Sequence, residues 1–135
     1  MTRKEAREET FFLTFEKIFS EDSPEDILKL AEEVRDLLPD DYVKEVFFGI
    51  CRETETLDAV ISEKAVGWKI GRISKTALAV LRLSIYELMY RADIPDSVSV
   101  NEAVELCKKY ATQEDAAFVN GILGTVAREK ASRES

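Results

Sequence analysis

The run Leu78, Val80, Leu81, Leu83, Ile85, Leu88 and Met89 constrains this chain most, because its apolar positions occupy more than one side of a helix. A helix apolar over that much of its circumference must be surrounded by others, so the segment from Ser74 to Arg91 reads as the centre of a bundle. The rest of the chain supplies stripes to surround it. Phe11, Phe12, Phe15, Ile18 and Phe19 mark a first helix from Arg3 to Ser20. Ser23 and Pro24 have cap and first-position chemistry for a second, Pro24 to Leu38, which Pro39-Asp40-Asp41 ends. Val43, Val46, Phe47, Ile50, Leu57 and Ile61 predict one longer third helix, and Gly67 and Gly71 predict a short helix or irregular turn within Glu63 to Arg72.

Toward the C-terminus, Ser99 and Glu102 have the spacing of a capping box ahead of Val100, Ala103, Val104 and Cys107. Thr112 and Asp115 have the chemistry to open a last helix through Phe118, Val119, Ile122, Leu123 and Val126. Each of these helices carries an asparagine: Asn101 is either a brace near a helix start or a ligand contact, and Asn120 lies off the centre of its stripe. Gly121 and Gly124 cost helix stability, which suits close approach to the backbone by a neighbouring helix or a ligand.

Five glycines and three prolines leave little turn chemistry for a sheet, and the one Asn-Gly pair lies inside a helical stripe. The expected class is therefore all-α: a compact bundle of about seven helices in one domain, residues 1–135. Whether Asp93-Ile94-Pro95-Asp96 divides it into two helical subdomains is left open by the periodicity. No apolar run approaches the length of a membrane span, and the charged start lacks a signal-peptide core, so a cytoplasmic protein without a membrane partner is expected. Cys51 and Cys107 read as reduced core thiols, with a disulfide between them left open by the sequence.

Catalysis finds little support. The chain has no histidine, so acid–base work would fall to carboxylates, lysine or tyrosine, and it has no phosphate-loop, dinucleotide or zinc spacing. No enzyme, metal or cofactor is expected. The formal net charge of −8 repels nucleic acid globally, so any RNA contact requires a local basic patch or a partner that supplies charge. Arg3, Lys4 and Arg7 crowd the first turns of a helix, where the macrodipole opposes them; they form either a solvated face, with Arg3 and Arg7, and Lys4 and Glu8, as i,i+4 partners, or a functional one. Arg82 and Glu87 lie on the most apolar helix, at a spacing that sends each to a partner elsewhere; Glu87 reads as a structural brace, Arg82 as a brace or an RNA contact. Trp68 reads as a core or seam plug, and Phe118 as core or as a platform for an unstacked base.

Taken in order, Ala6-Arg7-Glu8, Trp68 with Arg72 and Ile73, Ala79 to Leu88, Asp93-Ile94-Pro95 and the two asparagine segments resemble the NusB family of bacterial transcription antitermination factors. The resemblance implies an all-helical protein that binds boxA-type single-stranded RNA together with NusE, a small-subunit ribosomal protein, and reaches RNA polymerase indirectly through the Nus complex. It implies RNA-facing positions at Arg3, Lys4, Arg7, Arg82 and Phe118, and partner-facing positions at Phe15 and Asp115. Family members occur as monomers or homodimers, which the periodicity here does not decide. Two departures stand out: Glu5, Glu8 and Glu9 dilute the basic start to near neutrality, and Ala77 replaces an acidic residue often found facing NusE. The alternative is a helical protein-interaction or oligomerisation module that has lost RNA binding.

Overall fold

α5 (Lys75–Tyr90) is the hub, as its apolar circumference demands: it touches α1 (Arg3–Ile18), α3 (Asp41–Arg52), α4 (Thr54–Lys64), α6 (Asp96–Tyr110) and α7 (Gln113–Glu134). α2 (Pro24–Val34) packs on α1 and α3. The computed structural model describes residues 1–38 and 40–134, and among these the regular structure is seven α-helices and a 3-10 turn, Ile70–Arg72. One continuous apolar core runs from Ala6 to Leu123 and encloses Ala77, Ala79, Leu81 and Ile85 of α5.

Helix boundaries differ from the periodicity where local chemistry intervenes. Glu53 interrupts the predicted long third helix, and the Thr54 hydroxyl donates to the Ile50 carbonyl at 2.8 Å, competing for a helical acceptor. α2 stops at Val34, four residues before Leu38, and the chain turns out through Asp36 at φ 51°, a conformation aspartate tolerates better than most residues. Pro39 lies outside the described residues; Asp40 caps α3 by accepting from the Val43 N–H. Ser99 is not the cap expected of it. α6 begins a turn earlier, with Pro95 at the cap position, and this places Ser99 on the inner face of the helix, buried.

α3 and α5 meet closely at Gly49, where a Cβ would overlap the ring and hydroxyl of Tyr86. That hydroxyl donates to Glu45 at 3.1 Å, so the ring cannot swing away without losing a partner. Gly49→Ala should therefore cost about 1–3 kcal/mol in urea unfolding, with an unchanged m value. Gly121 and Gly124 do not fulfil the expectation of an approaching helix: a Cβ at Gly121 would meet nothing within 4 Å, and one at Gly124 only the end of Arg128.

Both cysteines are free. Burial pushes the Cys107 thiol up to about 12, helped by Asp115, and raises the half-buried Cys51 to about 11 against the opposing pull of Lys17. Neither is a thiolate at neutral pH, so both should react slowly with a disulfide reagent in the native protein and at once in denaturant.

Candidate functional site

The first turn of α1 is held by a capping box. Thr2 accepts from the Glu5 N–H, and Glu5 accepts from the Thr2 N–H, which holds the Glu5 carboxyl below its ordinary value. One of the acids that dilutes the basic start is thus a helix cap.

Arg7 turns inward. Only 4% of it is exposed, and its Nε donates at 2.9 Å to Glu87, which is itself 1% exposed. The Tyr42 hydroxyl donates to the same Glu87 oxygen, while the Ser99 hydroxyl donates to the other at 2.7 Å. The carboxylate therefore joins α1, α3, α5 and α6, the brace expected of Glu87 with partners that local spacing could not name. Burial opposes charge on Arg7, but Glu87 more than offsets this and holds the guanidinium above its ordinary value. Burial, and then the Glu87 charge, push the Tyr42 hydroxyl upward, so it stays a proton donor.

Arg3 lies outside this network, its guanidinium 4.6 Å from the centre of the Tyr42 ring. Arg91 approaches the same ring at 5.3 Å and is fixed by Asp93 at 2.9 Å and Glu45 at 3.0 Å. Lys4 pairs with Glu102 across to α6 at 3.3 Å, and Glu8 pairs with Lys109 at 2.8 Å, so the predicted Lys4–Glu8 partnership is replaced by cross-helix pairs. Those pairs line a shallow cleft between α1 and α6. The three basic positions of α1 thus differ in availability: Arg3 is exposed, Lys4 holds a solvent-facing pair that competes weakly with water, and Arg7 lies beneath the surface.

The second half of α1 builds a different surface. Phe11, Phe12 and Phe15 with Phe19 and Tyr110 form an aromatic groove, with Phe15 and Phe19 5.1 Å apart and Tyr110 5.4 Å from Phe11 and 5.3 Å from Phe12. Phe19 is 64% exposed, whereas Phe11 belongs to the core and Phe12 and Phe15 pack against it, so the groove opens from the core to solvent. Thr76 lines this groove, whereas the neighbouring Ala77 points into the core and is fully buried, so no polar group reaches the groove from that position. Two residues before Thr76, the Ser74 hydroxyl donates to Asp115 at 3.0 Å, so the start of α5 stands between Phe15 and Asp115. Thr112 accepts from the Asp115 N–H and opens α7 as its chemistry suggested.

Arg82 makes a two-pronged pair with Asp58 at 2.9 and 2.8 Å. Its outer side lines a groove with Lys17, Arg52 and Lys75. Phe118 is half-buried and packs at 5.6 Å on Trp68, which is 55% exposed. The expectation of a buried tryptophan plug is corrected here: Gly67 adopts φ 82°, turning the chain outward after α4, and Ala65 fills the core at that point. Asn101 and Asn120 line one groove between α6 and α7 with Lys108 and Gln113, and among the described residues neither amide is hydrogen-bonded.

The candidate residues therefore occupy separate surfaces: the α1–α6 cleft, the aromatic groove with the nearby α5–α7 junction, and the turn before α5. Sequence spacing missed Tyr42 and Tyr110, each brought to its site by a helix distant in sequence from α1, and gave Ser99 only as a cap.

The NusB family model matches residues 4–128. The transcription antitermination protein NusB of Ruminiclostridium cellulolyticum is 42% identical over 100% of this chain and 94% of its own length. Among solved structures, NusB of T. maritima superposes with a TM-score of 0.82 at 32% identity, over 96% of this chain and 92% of that one. A chain in the crystal structure of the antitermination factors NusB and NusE in complex with double-stranded RNA superposes with a TM-score of 0.84 at 25% identity, over 94% of this chain and 96% of that one.

Proposed function

The chain belongs to the NusB family, and on that premise we propose that it is a non-catalytic, cytoplasmic transcription antitermination factor that binds boxA-type single-stranded RNA jointly with NusE. Through that pair it joins the Nus complex on RNA polymerase during ribosomal RNA transcription. The observation that carries this proposal is the division of α1 into two faces. Its first turns present Arg3 and Lys4, and its last two turns present the aromatic groove around Phe15. One short helix can thus hold RNA and protein side by side, the geometry that joint binding requires. The net charge of −8 suits a basic ribosomal protein as the partner and disfavours RNA binding by this chain alone.

In this arrangement Arg3 and Lys4 contact RNA, Arg7 positions them from beneath through Glu87 and Tyr42, and Phe15 anchors the protein partner with Asp115 nearby. Arg82, midway along α5, and Phe118, on α7, serve the RNA beyond α1. The calorimetric test is a titration of this chain with NusE: saturable association is expected, and its absence would remove the main support. A protein-only interaction module remains the second proposal, favoured by the pairing of Lys4 with Glu102 and of Arg7 with Glu87. Charge reversal at Arg3 and Lys4 separates the two, since a joint binder loses RNA affinity and keeps NusE. Arg7 must be left intact in that experiment because its loss would damage the core.

A further inference from the structure

The surface cations of this acidic chain are mostly committed. Lys4, Arg35, Lys64, Lys109 and Lys130 each hold a carboxylate from another part of the chain. The segment Lys69-Ile70-Gly71-Arg72-Ile73-Ser74-Lys75 is different: it contains three cations and no acid. Among the described residues, no carboxylate lies within 4.0 Å of Lys69, Arg72 or Lys75. Lys75 then opens onto the groove that also holds Lys17, Arg52 and Arg82, faced by Glu21 and Glu55. At the other end of the segment stands Trp68, half in solvent, tilted 55° against Phe118.

Resting on the RNA-binding proposal above, we infer that Trp68 to Lys75 is a contact track for single-stranded RNA. Trp68 and Phe118 take an unstacked base, and Lys69, Arg72, Lys75 and Lys17 line the phosphates. Charge complementarity selects the occupant, because four cations without carboxylate partners beside open aromatic rings match a chain of phosphates and bases. An acidic protein segment would use the cations but not the rings. The track is also held in shape: Gly67 fixes the outward turn, and Ser74 caps α5 through the Ala77 N–H while its hydroxyl reaches Asp115. It offsets the loss of basic character in α1, where Arg7 is buried and Lys4 is paired.

Trp68 is the only tryptophan in the chain, so its emission reports on this surface directly. The full chain, with and without NusE, is titrated with a boxA-type single strand and with its duplex, following tryptophan emission and RNA anisotropy across a salt series. The single strand is expected to quench emission with the same midpoint as the anisotropy, and the duplex to leave it unchanged, because stacking needs an exposed base face. Lys69→Ala/Arg72→Ala/Lys75→Ala should lower the slope of log affinity against log salt by about 2. Trp68→Ala should lose about tenfold or more in affinity with that slope unchanged, and Trp68→Phe should recover most of it. All four positions are exposed, so melting temperatures should stay near that of the parent. RNA binding with constant emission and unaffected variants would overturn the track while leaving the RNA-binding proposal intact. No binding of RNA under any condition would overturn both. Quenching by NusE alone, with none added by RNA, would assign this surface to protein and overturn the track.

Discussion

Replacing Glu87 by alanine is expected to lower stability by about 3–5 kcal/mol and the melting temperature by about 10–20 °C, because it strands a buried charge. Without the carboxylate, the Arg7 guanidinium keeps its charge with no counter-ion, and the Tyr42 and Ser99 hydroxyls lose the acceptor they share. One terminal nitrogen of Arg7 is already buried without a partner, so the site has no spare acceptor to offer. Removing both charges should hurt far less than removing one. Arg7→Met/Glu87→Leu is expected to melt closer to the parent than Glu87→Ala, since an ion pair exchanged for apolar groups escapes the desolvation cost. Urea unfolding of the three proteins measures this. A double variant as unstable as Glu87→Ala would show instead that the hydroxyl contacts carry the site.

The second large effect is expected at Phe15. Truncation to alanine should weaken NusE association about thirtyfold or more, the penalty for losing a central aromatic anchor. Phe15 is half-buried between Phe11 and Phe19, so the variant should remain folded. Phe15→Tyr should bind almost as well as the parent, since it keeps the ring. Calorimetry with each variant distinguishes an anchor from a bystander, and an unchanged affinity for Phe15→Ala would move the partner surface elsewhere.

Much of the architecture was legible because burial imposes periodicity. The continuous apolar girth of α5 could be satisfied only at the centre of a bundle, and Ser23, Pro24 and Thr112 marked helix starts by chemistry that acts within one turn. Contacts made across the fold were not legible in the same way. Arg7 looked solvent-facing because its partner lies 80 positions away, and nothing in a helix-terminal arginine reveals that its side chain points inward. Ser99 matched a capping pattern, yet Pro95 starts the helix earlier and turns the same hydroxyl toward Glu87. Trp68 was misplaced for a related reason: its size argued for burial, but a single glycine at positive φ sends it outward.

The family series points to α1 as a shared helix for RNA and protein, and in the fold its residues lie in different surroundings. Arg7 belongs to the frame, Arg3 and Lys4 to the surface, and Phe15 to a groove whose other wall, Tyr110, comes from the end of α6.

The measurement that bears most directly on joint binding is a fluorescence-anisotropy titration of a labelled boxA-type single strand with this chain, alone and with saturating NusE, at two salt concentrations. Joint binding predicts weak association alone, a clear tightening with NusE, and loss of affinity at higher salt. Equal affinity with and without NusE, or no sequence-selective binding in either condition, would contradict it.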